Sequence, residues 1–423
     1  MPAIPPVKGT RDFYPEEMAF QRWLYQRIRE VSESFGYQEY DGPFLERLEL
    51  YAARSGEELV KEQAYVFPDR GGDMIVLRPE LTPSLARMVA ARSKALPWPI
   101  RWWSFGPFWR YERPQKGRSR EFFQWNIDLL GIDTPLADAE IAAIAATFFR
   151  AVGLGPERVR IFINNRRLAE EQLSSIGIAP GMFPTLFRLI DRKDKLQEQA
   201  WRDYARELGV TEDQLERLES DLADRQVWRR STDVCQFLEA VQVLGVGDYF
   251  AYEPTVIRGL DYYTGTVFEA RDSAGEKRAI LGGGRYDNLV ADVGGEALPG
   301  VGFAMGDKVI RLVLEEAGTM PTLAPHPAAL LVTTFDEESR VHALALASTL
   351  RKTGIRVSWY PLADRLQKQL KYADRLGIGW VAILGPDEIR QQMVTLKDLK
   401  TGEQITLPNA DVPEKLPLLL ERA

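Results

Sequence analysis

The 423-residue sequence has one cysteine, Cys235, and two histidines, His326 and His342, both in its last quarter. A single thiol forms no intrachain disulfide, so a reducing compartment is expected. One Cys and two His exclude zinc frameworks built on thiolate and imidazole ligands. They also leave no histidine for a Ser-His-Asp arrangement in the first three quarters of the chain. An oxygen-ligated ion such as Mg²⁺ stays open. No uninterrupted apolar run approaches the ~18 residues of a membrane-spanning helix, and the opening MPAIPPVKGTRDFYPEE has no apolar stretch of the secretory kind. The expectation is a cytoplasmic protein with no membrane partner. Basic residues are not in excess either: 54 Lys and Arg stand against 61 Asp and Glu, a net charge of −7. That excludes DNA binding through a uniformly basic surface and leaves local basic patches open.

What is present is ordinary for a soluble protein, 45% hydrophobic and 27% charged, with a length that fits two to three domains. Helical periodicity opens at Pro15-Glu16-Glu17, where carboxylates suit a first turn, and closes near Gly36. Short strand-like runs cover 65–67 and 74–77. Thr82-Pro83 reads as the cap and first residue of a helix reaching about Ala91. Long strands are expected over 100–112 and 121–130, then a helix over 136–152 and a strand over 158–164. From 191 to 230, 20 of 40 residues are charged, 9 basic and 11 acidic, which reads as a solvent-facing helical insertion. Strands return between 254 and 281, followed by a helix near 285–293, a strand over 301–304 and a helix over 307–316. Residues 318–327, GTMPTLAPHP, have the composition of a linker. Beyond it, strands at 329–333, 355–359, 380–384 and 394–399 alternate with helices at 337–352 and 364–376. That is the pattern of a small α/β domain with a largely parallel sheet.

The chemistry concentrates in residues 108–128, FWRYERPQKGRSREFFQWNID. Two-residue alternation puts Arg110 and Glu112 on one face of the first strand, and Gln124, Asn126 and Asp128 on one face of the second. Paired as a hairpin, they make a polar sheet face that a sheet serving only as core would not carry. The connecting loop, 113–120, holds Arg113, Lys116, Arg118 and Arg120 and no carboxylate, which suits a polyphosphate or a nucleic-acid end, or equally a solvated tip. In LRPELT, Glu80 and Thr82 stand at a strand-to-helix junction where they could hold an ammonium group, or Thr82 serves only as a cap. RGLDYYTG, 258–265, reads as a turn entering an aromatic strand. Gly282-Gly283-Gly284 before a helix would let a ligand approach the backbone but fits no phosphate-loop pattern. Residues 300–306, GVGFAMG, imitate a dinucleotide fingerprint with one residue too many and are not read as one. In 351–375 there are 7 basic and 2 acidic residues. Arg365, Lys368, Lys371 (beside Tyr372) and Arg375 recur along one helix face, suited to RNA backbone and unstacked bases or to plain solvation.

KGTRDFYPEE near the start, LRPELT, FWRYERPQKGRSREFFQ, ADAE at 137–140, RGLDYYTGTVFE, GGGRYDNL, RLQKQLKYADRLG and VTLKDLKTGE together resemble, nearly end to end, the class II aminoacyl-tRNA synthetases. Among these the resemblance is to the histidyl-tRNA synthetase family. It implies an α+β fold: an antiparallel, six-stranded class II synthetase-like catalytic sheet flanked by helices over 1–320, with a helical insertion at about 170–235. A linker at 321–328 and an α/β anticodon-binding-like domain over 329–423 complete it. It also implies a homodimer built around the segment containing Pro43, and the substrates histidine, ATP and tRNA(His). Histidine and ATP would give histidyl-adenylate, then transfer to the 3′ end of the tRNA. Arg110 and Arg258 would be catalytic, reaching the α-phosphate from two sides. Arg118 would steady the γ-phosphate, and Glu112 would act through Mg²⁺ and bound water. Glu80, Thr82 and Gln124 would hold the substrate ammonium. Asp128 and Tyr263 would contact the imidazole, with Tyr262 beside them and Tyr286 closing the site. Contacts to tRNA would fall to Arg113, Gln115 and Lys116, and in the C-terminal domain to Arg365, Lys368 and Lys371.

Two positions depart from the family pattern. Gly306 is followed by Asp307-Lys308-Val309, so Val309 stands where an adenine-stacking Arg is expected, and Asp128 stands where other members carry Glu. The alternative is a non-catalytic relative of the same fold, the histidine-sensing regulatory subunit of ATP phosphoribosyltransferase. The missing third-motif Arg favours it. The complete RYERPQKGR loop, Arg258 and the basic C-terminal segment oppose it.

Overall fold

The computed structural model describes residues 4–52, 63–115, 117–257, 262–274, 279–323 and 326–420. Lys116 and Arg258, both singled out above, lie outside the described residues. The chain divides into two compact units, Met1–Asp12 with Trp23–Pro321, and Phe13–Arg22 with Thr322–Ala423.

In chain order the first elements are α1 (Pro15–Ser34), β1 (Gln38–Glu39), β2 (Leu45–Arg47), α2 (Leu48–Ala52), β3 (Tyr65–Pro68), β4 (Met74–Leu77), α3 (Thr82–Arg92), β5 (Ile100–Trp109), β6 (Glu121–Leu130), α4 (Pro135–Ala151) and β7 (Val159–Asn165). Five α-helices follow: α5 (Arg166–Ser175), α6 (Phe183–Asp191), α7 (Glu198–Glu207), α8 (Glu212–Ala223) and α9 (Thr232–Val243). Then come β8 (Phe250–Tyr252), β9 (Thr266–Asp272), β10 (Ala279–Tyr286), α10 (Leu289–Asp292), β11 (Gly300–Gly306) and α11 (Asp307–Ala317).

Among the described residues, eight strands form one sheet in the order β1-β5-β6-β11-β10-β9-β7-β8. The six inner strands are antiparallel throughout, while β1 on β5 and β8 on β7 add one short parallel strand at each edge. Strands β2, β4 and β3 make a separate antiparallel sheet. The central sheet is pinned by β6, whose alternate residues Trp125, Ile127 and Leu129 are buried. Trp125 packs on Phe148 of α4 with 5.3 Å between ring centroids. Helix α4 is apolar along most of its length, so it stays buried. It starts where the Thr134 side chain accepts the Ala137 N–H and Pro135 takes the first position.

Several expectations are corrected. The charged stretch between β7 and β8 is helical, but it is not merely solvent-facing. Leu173, Leu186, Trp201, Leu215 and Leu218 form a core of its own, with charges on the outer faces. Thr82 is the first helical residue of α3, not its cap, and Leu81 in the cap position makes no side-chain hydrogen bond. Strand β5 ends at Trp109, so Arg110 and Glu112 lie just beyond it. The three glycines 282–284 are inside strand β10, which runs on through Arg285 and Tyr286, and the following helix starts only at Leu289.

The second unit contains β12 (Leu330–Val332), α12 (Glu337–Lys352), β13 (Val357–Trp359), α13 (Leu366–Arg375), β14 (Trp380–Ile383), α14 (Pro386–Gln391), β15 (Met393–Asp398), β16 (Gln404–Pro408) and α15 (Val412–Leu420). Its sheet order is β13-β12-β14-β15-β16. Strand β12 is parallel to both neighbours, but β14–β15 and β15–β16 are antiparallel. The sheet is therefore mixed rather than largely parallel. The antiparallel half comes from a tight turn after β15, where Asp398 accepts the Lys400 N–H (2.8 Å) and Gly402 takes φ +82°.

Candidate active site

The site begins as a row of polar residues on β6. Gln124, Asn126 and Asp128 leave one face of the strand. Their cross-strand partners are Gly106, Ser104 and Trp102 on β5, and Gly306, Ala304 and Gly302 on β11. Four alternate positions of β11 (Gly300, Gly302, Ala304, Gly306) are thus Gly or Ala, while Val301, Phe303 and Met305 between them are buried. The next strand continues the trough: Gly282 and Gly284 of β10 pair with Ala304 and Gly302. Missing side chains on adjacent strands leave a cleft of about 1650 Å³ along the sheet.

The glycines are needed by their neighbours. A Cβ on Gly302 would sit 2.1 Å from Asp128 Oδ1, one on Gly300 2.5 Å from the Tyr286 ring, and one on Gly284 2.9 Å from the Tyr263 ring. The glycine-rich segments 282–284 and 300–306 are therefore close-approach strands rather than a phosphate cradle or a dinucleotide turn.

At the deep end, Asp128 is buried and accepts the Tyr286 hydroxyl at 2.6 Å. Burial pushes its carboxyl up to about 7, against the opposing pull of that hydrogen bond. Burial and Asp128 hold the Tyr286 hydroxyl protonated well above its ordinary range. The Tyr262 ring stands steeply tilted to both Tyr263 (4.9 Å between centroids) and Tyr286 (6.2 Å), so the three aromatics form one wall. Glu80 and Thr82 line the same cleft. Tyr51 donates to the Glu80 carbonyl at 3.0 Å and fixes the turn into α3. Because Thr82 is the first helical residue and not the N-cap, its hydroxyl is not committed to capping the start of the helix.

The other end is basic. Arg110 Nε donates to Pro79 O (3.0 Å), and its guanidinium lies 5.4 Å from the Phe122 ring centroid. The Arg110 N–H still bonds to Arg120 O (2.8 Å), which extends the hairpin past the strand end. Gln115 and Arg118 close the loop tip by a reciprocal backbone bridge around Gly117 (φ +82°). Arg118 is exposed, 3.5 Å from the Glu112 carboxylate. Glu112, Gln115 and Arg118 line the cleft, and Arg113 is exposed on the loop.

At the start of α11, Asp307 is buried, pairs with Arg11 and accepts the Phe123 N–H at 3.0 Å. It ties the KGTR segment to β6. Lys308 and Val309 line the cleft, and burial, followed by the nearby Arg11, lowers the Lys308 ammonium from its ordinary range. Arg311 pairs with Glu315 one turn along α11. Three buried arginines escaped the sequence reading, one of them Arg166, which opens α5 and donates to the Tyr263 carbonyl (3.0 Å). Arg78 of LRPELT lies between Phe44 and Phe108 (4.5 and 4.6 Å) and bonds to Pro107 O, Gly42 O and Asp41. Arg285 of GGGRYD pairs with Asp138 of ADAE at 2.6 Å. For Arg78 and Arg285 the signal was an Arg at the end of, or inside, an apolar strand pattern. Phe122 and Glu269 also line the cleft; Phe122 shares the Gln124 face by the same two-residue rule and was legible there.

In the second unit, Arg365 precedes α13, Lys368 pairs with Asp364, and Lys371 is exposed. Tyr372 packs edge-on against Tyr360 at 5.2 Å. Buried Gln369 bonds to both the N–H (2.9 Å) and the C=O (2.7 Å) of Thr334 and holds the helix against β12. The basic stripe is present, with Lys368 partly neutralised.

Comparison with known proteins adds an independent line. The profile described as histidyl-tRNA synthetase matches residues 9–310, and one described as anticodon binding domain matches 329–418. A histidine–tRNA ligase of Halobacterium salinarum is 38% identical over 420 residues, 96% of either chain. The chloroplastic/mitochondrial histidine–tRNA ligase of Arabidopsis thaliana is 34% identical, over 97% of this chain and 86% of that one. The crystal structure of histidyl-tRNA synthetase from Nostoc sp. PCC 7120 matches with a TM-score of 0.84 at 28% identity, over 100% of this chain and 99% of that one. An ATP phosphoribosyltransferase regulatory subunit/histidyl-tRNA synthetase from Bacillus halodurans C matches at 0.71 and 22% identity, over 88% of this chain and 97% of that one. At that identity it shows the fold alone.

Proposed function

The chain belongs to the histidyl-tRNA synthetase family and ligates histidine to tRNA at the expense of ATP; from that premise we propose how its residues divide the work. The observation that carries the assignment is the two-ended cleft, with Asp128 and Tyr286 buried at one end and Arg110 and Arg118 at the other. Asp128 and Tyr263 receive the imidazole, Tyr262 walls it, and Tyr286 orients the Asp128 carboxylate. Glu80, Thr82 and Gln124 hold the ammonium. Pairing to both ring nitrogens rejects apolar amino acids, because each buried polar group left unmatched costs about 1–3 kcal/mol.

The substrate's own carboxylate, ionised at neutral pH, attacks the α-phosphorus, so the first step needs no protein base. Pyrophosphate leaves, and a hydroxyl at the tRNA 3′ end then attacks the acyl carbon and releases AMP. The protein supplies in-line placement and relief of charge on phosphate oxygens. Arg110 and Arg258 take that role at the α-phosphate and Arg118 at the γ-phosphate. Among the described residues no cluster of three or more His, Cys, Asp or Glu could hold a metal by itself. Glu112, which lines the cleft beside Arg118, would be the protein carboxylate for a Mg²⁺ bound with the triphosphate, and that ion would supply charge neutralisation.

Arg113, Gln115 and Lys116 on the hairpin loop meet the acceptor end of tRNA(His), and Arg365, Lys368 and Lys371 meet its anticodon side. We assign 1–320 to catalysis with an insertion at about 170–235, 321–328 to a linker and 329–423 to the anticodon-binding domain. We also read the chain as a homodimer around Pro43, supported by exposed Phe44 and Leu45 next to it and by Phe67 on the same sheet face as Leu45. A cytoplasmic location fits the single cysteine. No helix among the described residues is long and apolar enough to cross a membrane. The test is histidine-dependent ATP–pyrophosphate exchange by the purified protein. Exchange that Arg110→Ala or Arg258→Ala abolishes without unfolding is the expected result, and no exchange at all is what a regulatory subunit would give.

A further inference from the structure

Tyr40, between β1 and β2, belongs to none of the motifs. Its N–H donates to Trp103 O (2.9 Å), and its ring packs on Trp102 with 5.2 Å between centroids. It joins the hydrophobic cluster that contains Tyr262, Tyr263 and Tyr286. Its hydroxyl is buried and has no hydrogen-bond partner among the described residues. A buried hydroxyl left unmet is destabilising, and folded proteins seldom keep one that nothing ever satisfies.

Strand register indicates what this hydroxyl serves. Trp102 is the cross-strand partner of Asp128, so both side chains leave the sheet on one face, and Tyr40 packs on the first of them. Burial holds the Tyr40 hydroxyl protonated well above its ordinary range, and Asp128 is the next cause, ahead of Asp41 and Arg78. Tyr40 in turn acts on Tyr286. Of the polar groups around it, Tyr51 donates to the Glu80 carbonyl and Arg78 pairs with Asp41 through Nη1, while Arg78 Nη2, a donor only, cannot accept the Tyr40 proton. Tyr286 already occupies Asp128 Oδ1.

We propose that Tyr40 is a positioning residue of the histidine pocket, its hydroxyl acting as second donor to the Asp128 carboxylate, directly or through one bound water, when substrate is in place. The inference rests on the assignment of Asp128 to the imidazole. With two hydroxyls on it, the carboxylate keeps its acceptor character near neutral pH and presents a fixed lone pair to the ring N–H. The shorter reach of Asp relative to Glu makes that fixation matter more, because the aspartate has less chain with which to correct its own aim.

The test is Tyr40→Phe, which keeps the ring and its contact with Trp102. The melting temperature should not fall, since the lost hydroxyl is unpaired. In pyrophosphate exchange the KM for histidine should rise about tenfold, with kcat and the KM for ATP within about twofold of the parent. The acid limb of kcat/KM for histidine should also move to higher pH, because a carboxylate with one donor fewer holds its proton longer. The titration of substrate histidine is common to both enzymes, so any displacement between the two profiles belongs to the protein. Unchanged KM and pH profile would overturn the role of Tyr40. So would a fall in kcat that tracks a lower melting temperature, which marks simple packing. A parent enzyme without histidine-dependent exchange, or Asp128→Asn without effect on the histidine KM, would instead overturn the reading beneath it.

Discussion

Asp128 carries the sharpest consequences of any single side chain. Its carboxyl is pushed from 3.8 up to about 7 by burial, so without substrate the folded protein holds a proton that the unfolded chain has already lost between roughly pH 4 and 7. Stability contributed at this position therefore declines as pH rises through that window and is level above it. Asp128→Asn should remove this slope, and its melting temperature should gain on the parent as pH is raised from 5 to 8. The same variant should lower kcat/KM for histidine by about 10–100-fold through loss of a charge-assisted hydrogen bond. Gly302→Ala works from the opposite direction. Its Cβ would meet Asp128 Oδ1 at 2.1 Å and the Ile127 carbonyl at 2.6 Å, and backbone cannot step aside cheaply. A destabilisation of about 1–3 kcal/mol, read by denaturant titration, should accompany loss of exchange. The polar row Gln124–Asn126–Asp128 was legible because strand alternation is local. The meaning of the glycines was not, since the residues they make room for lie on neighbouring strands far away in sequence.

Among the elements, the hairpin of β5 and β6 and the helices α1, α4, α11 and α12 follow the apolar periodicity closely. The failures have physical causes. Three successive glycines carry no strand preference, so β10 was cut short and its end assigned to a helix. Pairing direction is set by connections and not by side-chain period, so the mixed sheet of the second unit read as parallel. Short β16, α14 and α15 left too little pattern to find. The joint between β10 and α4 offers a test at this scale. Arg285 bonds to the carbonyls of Ile132 and Thr134 just ahead of α4 and to Asp138 in its first turn. Burial raises the Asp138 carboxyl and Arg285 opposes that shift. Asp138→Ala would take the nearest anionic partner from a buried guanidinium and leave it Asp287 (3.3 Å) and Asp133 (3.4 Å), at a cost of about 1–3 kcal/mol. Asp138→Ala combined with Arg285→Met should recover much of that loss, as measured by a double-mutant cycle.

For the molecule as a whole, two units imply two separable losses. Arg365→Glu with Lys371→Glu reverses charge on the exposed face of α13 without touching the cleft. It should lower kcat/KM for tRNA charging roughly tenfold and weaken its salt dependence, while pyrophosphate exchange stays unchanged. Equal loss of both activities would contradict the division of labour. Motifs spread along the chain made both halves legible, but not the membership of Phe13–Arg22 in the C-terminal unit, because nothing local in an amphipathic helix names its eventual neighbours. That membership bears on biosynthesis. The first residues of α1 emerge early from the ribosome, yet the remainder of their unit begins at Thr322, three hundred positions later. At ~5–20 residues per second the segment waits about 15–60 s for its counterpart. Until Thr322 and the residues after it are made, the buried positions Ala19 and Phe20 of this stretch have no neighbours from the rest of their unit.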